Sequence, residues 1–382
     1  MIIKLLVSLL VIGYVWFIYY SILFLKNDHY PLVDNGVSVI IPTYNEKYDD
    51  LKKCLMSVVN AKGIKEIILV DNNNTSEEIV NGLNILREEF SGLVNFVFEK
   101  KQGKRYAHAK GLSVAKYDIV VFIDSDTVIH NDSLLEIQRP FFDDKIGGVS
   151  GQVKLLNKND SWFTKSIDAM FWSSNNIFRR YSGVNGFMQV SPGALSAYRK
   201  KLLLLLEKGY LTQTFMGRKC SISDDRYLTM RVQTYFGKKV IYQPSAIAYT
   251  IMPDSFKGFW KVLERWKRGV LREILVFWKE PKQKAKLLFF DTQFNFLMTN
   301  ILFFFKILLV IDLIFNFSFI HLLSVIFWMF LMTIFYNGLM LVDNPKSFKY
   351  KILYSFIYEF FLSFTYINAL FNLRDQGLWK TR

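Results

Sequence analysis

A chain of 382 residues, 51% of them hydrophobic and with a formal charge of +15, has room for one large soluble domain and several membrane segments. The charge does not point to nucleic acid, because the basic residues gather beside apolar helices, where anionic lipid and the cytoplasmic bias of positive charge account for them. Two cysteines, Cys54 and Cys220, exclude a disulfide framework and suit a reducing cytosol.

The first run, Leu5–Leu25, carries no charge, is flanked by Lys4 and Lys26, and is long enough to cross a ~30 Å hydrocarbon layer. It lacks the small-residue site of a cleaved signal peptide and predicts an uncleaved anchor over residues 1–26. From Asn27 onward polar and apolar residues mix. Short β-branched runs at Val37–Ile41, Ile67–Val70, Val94–Phe98 and Ile119–Ile123, with helical patterns between them, predict a mainly parallel sheet within a domain spanning 27–255. Such sheets bind ligands beyond the carboxyl ends of their strands. Three runs end there in polar clusters: Pro42-Thr-Tyr-Asn-Glu46, Asp71-Asn-Asn-Asn-Thr75 and Asp124-Ser-Asp126. A turn just past the fourth run can aim Asp124 and Asp126 at one ion, and hard carboxylate oxygens suit Mg²⁺ or Mn²⁺, which neutralises a diphosphate.

Residues 256–286 contain Phe259-Trp-Lys-Val-Leu-Glu-Arg-Trp-Lys-Arg268, a basic and aromatic pattern suited to a membrane interface. Residues 287–342 hold two predicted spans, Phe294–Phe315 and Phe319–Val342, joined by a turn without Lys or Arg that belongs outside. Asp343–Lys351 carries three lysines and belongs in the cytosol. Ile352–Leu373 is apolar, but spanning would export Arg374, Lys380 and Arg382, so an interfacial or re-entrant helix is expected across 343–382. Three spans then leave the domain and the C-terminus on the cytoplasmic side of a multi-pass cell-membrane protein. Lys306 and Asp312 lie inside a predicted span, where they either line a polar path or snorkel to the surface.

Val39-Ile-Ile-Pro-Thr-Tyr-Asn-Glu46, Gly103-Lys-Arg105, Asp124-Ser-Asp126, Ser191-Pro-Gly193 leading to Tyr198-Arg199, Thr214-Phe-Met-Gly217, Ser223-Asp-Asp-Arg226, Arg265-Trp266 and Trp379-Lys-Thr-Arg382 follow one another in a specific order. In these motifs the chain resembles the processive membrane glycosyltransferases of family 2, the group with hyaluronan, chitin and cellulose synthases. Hyaluronan synthases and the streptococcal type 3 capsule polysaccharide synthase are the nearest in pattern. The resemblance implies an α/β GT-A-like domain with a mostly parallel sheet plus an α-helical membrane domain, a UDP-sugar donor, a growing polysaccharide acceptor and no obligatory protein partner.

By that resemblance Tyr44 and Asp71 hold uracil, while Lys104, Arg105, Asp124 and Arg265 meet the nucleotide and its phosphates. Asp126 and Asp124 take the metal. Asp225, beside Asp224, becomes the base that deprotonates an acceptor hydroxyl during inversion. Two acids opening a helix also serve as a cap, which explains one of them better than both. Trp266, Ser191, Phe215, Met216 and Gly217 face the acceptor, and Trp379 and Arg382 close over the donor. Two positions depart from the family pattern: Val262 stands where a glutamine is usual, and Lys380 where a glycine is usual. The first leaves processive synthesis and transfer of a single sugar to a lipid or short glycan both open. A non-catalytic scaffold that binds nucleotide sugars is the remaining reading, opposed by the intact acids at 124, 126, 224 and 225.

Overall fold

A computed structural model describes residues 30–31, 36–281 and 283–377; the expected anchor Leu5–Leu25 and the tail residues Trp379 and Arg382 lie outside them. All four expected strands form: β1 (Val37–Thr43), β2 (Ile64–Asp71), β3 (Val94–Phe98) and β4 (Ile119–Phe122). The helices α1 (Tyr48–Val59), α2 (Glu77–Glu89) and α3 (Lys104–Val114) alternate with them. β1 is buried at every residue because helices cover both faces of the sheet, which is why these strands read as continuous apolar runs.

After β4 come β5 (Val128–Ile129), α4 (Ser133–Gln138), β6 (Ile146–Leu155), α5 (Trp162–Ser173), α6 (Arg180–Val184), β7 (Ser196–Arg199) and α7 (Lys200–Thr212). A small hairpin, β8 (Thr214–Phe215) with β9 (Arg218–Lys219), precedes α8 (Asp224–Phe236) and β10 (Lys239–Thr250). The eight-stranded sheet has the order β3-β2-β1-β4-β7-β6-β10-β5. Its first four strands are parallel, β7 runs antiparallel to both β4 and β6, and β10 pairs parallel with β6. Parallel register sets Thr43 beside Asp71 and Asp71 beside Phe98, so the polar clusters emerge on one edge.

α9 (Phe256–Phe277) then crosses beneath the domain, followed by α10 (Lys286–Phe315) and α11 (Phe319–Asp343). Among the described residues, Lys286–Phe315 and Leu322–Asp343 are long and apolar enough to cross a membrane, with mean hydropathies of 2.2 and 2.0. The expected terminal helix is broken: α12 (Pro345–Phe360) and α13 (Thr365–Phe371) flank a short turn at Leu362–Phe364. Polar contacts tie α11 to the domain. Ser173 Oγ donates to Asn337 Oδ1 at 2.7 Å where α11 kinks, and Trp172 Nε1 donates to Asp343 at 2.6 Å.

Candidate active site

The polar loops interlock. Asn45 and Asn73 take the left-handed backbone that asparagine tolerates better than most residues, at φ 49° and 59°. Asn74 donates to Asp71 Oδ1 from its main chain (3.1 Å) and its side chain (2.7 Å) and also reaches the Thr43 carbonyl, joining the ends of β1 and β2. Asn72 is fully buried, accepts from the Gly103 N–H at 2.7 Å and donates to the Lys101 carbonyl at 2.7 Å. It thereby aims the Gly-Lys-Arg loop, a role that the run of asparagines hinted at only by position. Tyr44 is half-buried on the same edge.

Lys104 opens α3 and points its ammonium inward, 2.5 Å from Asp124 Oδ1 and 3.5 Å from Asp224 Oδ2. Gly193 makes room for it, since a Cβ there would fall 2.8 Å from Lys104 Nζ and 3.2 Å from the Asp124 carboxylate. Arg105 does not join Lys104 at the cleft. Neighbours on a helix lie about 100° apart, and its guanidinium is buried between Tyr210 and Tyr227, donating to the Tyr210 carbonyl at 2.8 Å. The expectation that Arg105 approaches the donor is corrected accordingly: it braces the interior.

Asp224 and Asp225 occupy the first turn of α8, reached through Ser223, which adopts φ 52° and ψ 44°. Burial alone would raise the Asp224 carboxyl, but the Lys104 ammonium together with smaller contributions from His108, Arg105 and a backbone N–H outweighs it and holds the pKa at about 2. Asp225 is shifted the other way: burial and then the Asp224 charge push it above the usual carboxylate value. The pair thus holds one firmly ionised acid and one more basic acid, an arrangement suited to proton acceptance. Asp225 Oδ1 accepts from the Arg226 N–H at 2.7 Å. His108 is pushed down to about 4 by burial and the nearby Lys104, and stays neutral against Tyr210 at 2.9 Å.

Lys104, Asp124, Asp224 and Asp225 line a cavity of about 2310 Å³ that runs from Glu46 and Asp126, past Arg265 and Trp266 on α9, to Lys306, Tyr336 and Tyr358 among α10–α12, whereas the expected base-binding residues Tyr44 and Asp71 are not part of its lining. Val262 faces the same space. Lys306 pairs with Glu359 inside it, whereas Asp312 accepts from Asn316 at the end of α10. Other expected acceptor residues lie elsewhere. Ser191 is fully buried and donates to the Val149 carbonyl at 3.4 Å, so its neighbours Val190, Pro192 and Gly193 face the cavity in its place. Phe215, Met216 and Gly217 form the β8–β9 hairpin, with Met216 and Gly217 at φ 49° and 77° as its two turn residues and Met216 59% exposed. No described residue of this hairpin lines the cavity.

Among the described residues no group of three or more acids, histidines or cysteines gathers to hold a metal. Asp124 and Asp126 nevertheless fit a Mg²⁺-like ion, which commonly takes one or two carboxylates and completes its sphere with phosphate oxygens and water.

Residues 38–205 match the family model described as Glycosyl transferase family 2. Over those residues, less than half of its length, the chain is similar to family 2 glycosyltransferases. Its curated relatives include proteins named N-acetylglucosaminyltransferase. One from Azorhizobium caulinodans is 28% identical over 272 residues, covering 70% of this chain and 67% of the relative. One from Rhizobium sp. strain N33 is 31% identical over 255 residues, covering 65% and 55%. A third, from Mesorhizobium japonicum, is 30% identical over 246 residues, covering 63% and 57%. The match therefore spans between 55% and 67% of the length of these three relatives. In three dimensions it is similar to a mannosyltransferase of Pyrobaculum calidifontis solved with GDP-Man and Mn²⁺, at a TM-score of 0.62 and 17% identity over 93% of this chain and 96% of that one. At that identity the likeness is one of fold. The chain has a GT-A-like α/β layer, followed by a helical region with two long apolar helices among the described residues.

One glycine of α9 lies against the turn that presents the acid pair. A Cβ on Gly269 of α9 would sit 1.6 Å from Ser223 Oγ, in the turn that presents Asp224 and Asp225. Gly269→Ala is expected to displace that turn and lower the initial rate of sugar transfer on the order of 10²-fold, as small misplacements of reacting groups do. The melting temperature should move by only a few degrees, since overpacking costs about 1–3 kcal/mol. A wild-type rate in the alanine variant would contradict this.

Proposed function

We propose that the protein is an inverting, UDP-sugar-dependent glycosyltransferase that builds a β-linked glycan on the cytoplasmic side of a cell membrane. What carries the reading is the meeting of Lys104, Asp124, Asp126 and the Asp224–Asp225 pair in one cavity that continues among apolar helices. Asp225 accepts the proton of an acceptor hydroxyl as that oxygen attacks the anomeric carbon, opposite the departing diphosphate. An α-linked donor then yields a β-linkage. Lys104 and Arg265 steady the phosphates, and Trp266 offers a flat apolar face to the acceptor ring. Mg²⁺ or Mn²⁺ between Asp124, Asp126 and the diphosphate would offset the charge that builds on the leaving group.

Uracil is supported as the base. Asn74 donates to Asp71 Oδ1 with two N–H groups and fixes that carboxylate at the strand end, where its Oδ2 can accept from an imide N–H such as that of the uracil which the family resemblance implies. The names of the relatives favour N-acetylglucosamine as the first sugar to try. The length of the cavity, with the aromatic faces of Trp266, Tyr336 and Tyr358 along it, favours an acceptor of several sugars, in the processive manner that the resemblance to hyaluronan and capsule synthases implies.

Membranes holding the protein should be incubated with UDP-N-acetylglucosamine, UDP-glucose and UDP-glucuronate, singly and in pairs, with Mg²⁺ or Mn²⁺. UDP release and a high-molecular-weight product are expected, and chelation with EDTA should lower the rate at least ~10²-fold, the scale of losing electrostatic stabilisation of a leaving group. Short products alone would reject processive synthesis. UDP binding without turnover of any donor would reject catalysis altogether.

A further inference from the structure

The three residues before the acid pair are held from three directions, and one of the holders is the far end of the chain. Ser221 donates its N–H to the Gln376 carbonyl at 3.1 Å, and its hydroxyl reaches the Gln376 and Gly377 carbonyls. The Ile222 carbonyl accepts from Arg272 Nη2 at 2.8 Å, and Ser223 abuts Gly269. Arg272 is the largest fully buried side chain described, and its Nη1 donates to Gln376 Oε1 at 2.7 Å while its Nε donates to Glu273 at 2.8 Å. Gln376 is itself fully buried and donates to the Leu373 carbonyl at 2.6 Å. Arg268 fixes the same strap through the Asp375 carbonyl at 2.8 Å and carboxylate at 3.0 Å.

From this geometry we infer that the strap Leu373–Gly377 is a latch for the loop that carries Asp224 and Asp225, with Gln376 and Arg272 as its positioning residues. The loop needs such a latch. Ser223 sits in a left-handed conformation unfavourable to a serine, and backbone in that region persists only where its surroundings over-determine it. An acceptor at 376 matters most, because the charged Arg272 Nη1 would otherwise be left unpaired in a dry interior, while the amide N–H of Gln376 adds a contact to the Leu373 carbonyl. Asp375 and Gly377 also line the cavity, so the latch closes where the sugar-transfer groups lie. The inference rests on the proposed role of the acid pair.

The chain supplies its own reporter. Its only cysteines are Cys220, buried immediately before the loop, and Cys54, fully buried in the core of the sheet. The full-length protein in membranes is compared with Gln376→Leu, which removes both polar contacts, and Gln376→Glu, which keeps an acceptor for Arg272. Gln376→Leu is expected to lower kcat on the order of 10-fold, the fold-change of one unsatisfied buried donor, with UDP affinity within about threefold because Tyr44 and Asp71 lie on other loops. Maleimide should label Cys220 at least tenfold faster in that variant while Cys54 stays protected, and Gln376→Glu should restore most of both readings. Wild-type kcat and Cys220 protection in Gln376→Leu would overturn the latch. So would equal labelling of both cysteines, which would make the strap a general folding element. An active Asp225→Asn variant would instead sink the assignment of the acid pair, whatever Gln376 does.

Discussion

Asp225→Asn is expected to lower turnover about 10³-fold, within the range attributed to a positioned general base, while UDP still binds. The asparagine keeps an oxygen for the Arg226 N–H, which Asp225 Oδ1 accepts at 2.7 Å, so the start of α8 should survive. What disappears is the proton acceptor. The wild-type carboxyl lies above the usual value through burial and the adjacent Asp224 charge. At neutral pH its ionised form therefore opposes folding, and neutralising it should leave the melting temperature unchanged or higher. The same shift predicts that the acid limb of the wild-type kcat/KM profile lies at higher pH than an ordinary aspartate would give. Initial rates of UDP release, calorimetric UDP binding and thermal melting on one preparation separate these outcomes. Undiminished transfer by the asparagine variant would end the proposed chemistry.

Much of this site was legible before the fold was known, for a physical reason. Strands β1, β2 and β4 are covered on both faces, so Val37–Ile41, Ile67–Val70 and Ile119–Ile123 show as unbroken apolar runs whose ends must converge. The segments that form β6 and β10 carry no such unbroken run. β6 carries Gly147, Gly148 and Gly151, and β10 breaks register between Gln243 and Ile247 around Pro244, which blurs both apolar patterns. Motif reading also works residue by residue only where neighbours share a direction. Lys104 and Arg105 are adjacent in the chain but diverge on α3, and Ser191 turns inward two residues before Gly193 opens onto the cavity. The pairing of Arg272 with Gln376 spans 104 residues and leaves no local pattern.

Lys104→Met should have effects nearly as large as loss of the base, by a different route. Methionine keeps the apolar stem and removes the charge that Asp124 and Asp224 share at 2.5 and 3.5 Å. Removing one member of a buried ion pair costs about 3–5 kcal/mol. The lower end applies here, because the Asp124 side chain is 33% exposed and water can take over part of the ammonium's role. The pH dependence should change sign. In the wild type, Asp224 is held at about 2 against an ordinary 3.8, so it contributes stability above pH 3.8 that is lost as the pH falls toward 2. Without Lys104, burial, the largest influence on Asp224, is opposed only by smaller ones and raises its carboxyl, and its ionisation then opposes folding. The variant should accordingly be least stable relative to wild type at neutral pH and recover part of the difference on acidification. Catalysis should shift in step, because Lys104 also lowers Asp225. The acid limb of kcat/KM moves to higher pH, and the loss of activity is greater at pH 6 than at pH 8. Melting curves and rate profiles taken across that range measure both effects, and a parallel loss at every pH would show that Lys104 does not set the ionisation of the acid pair.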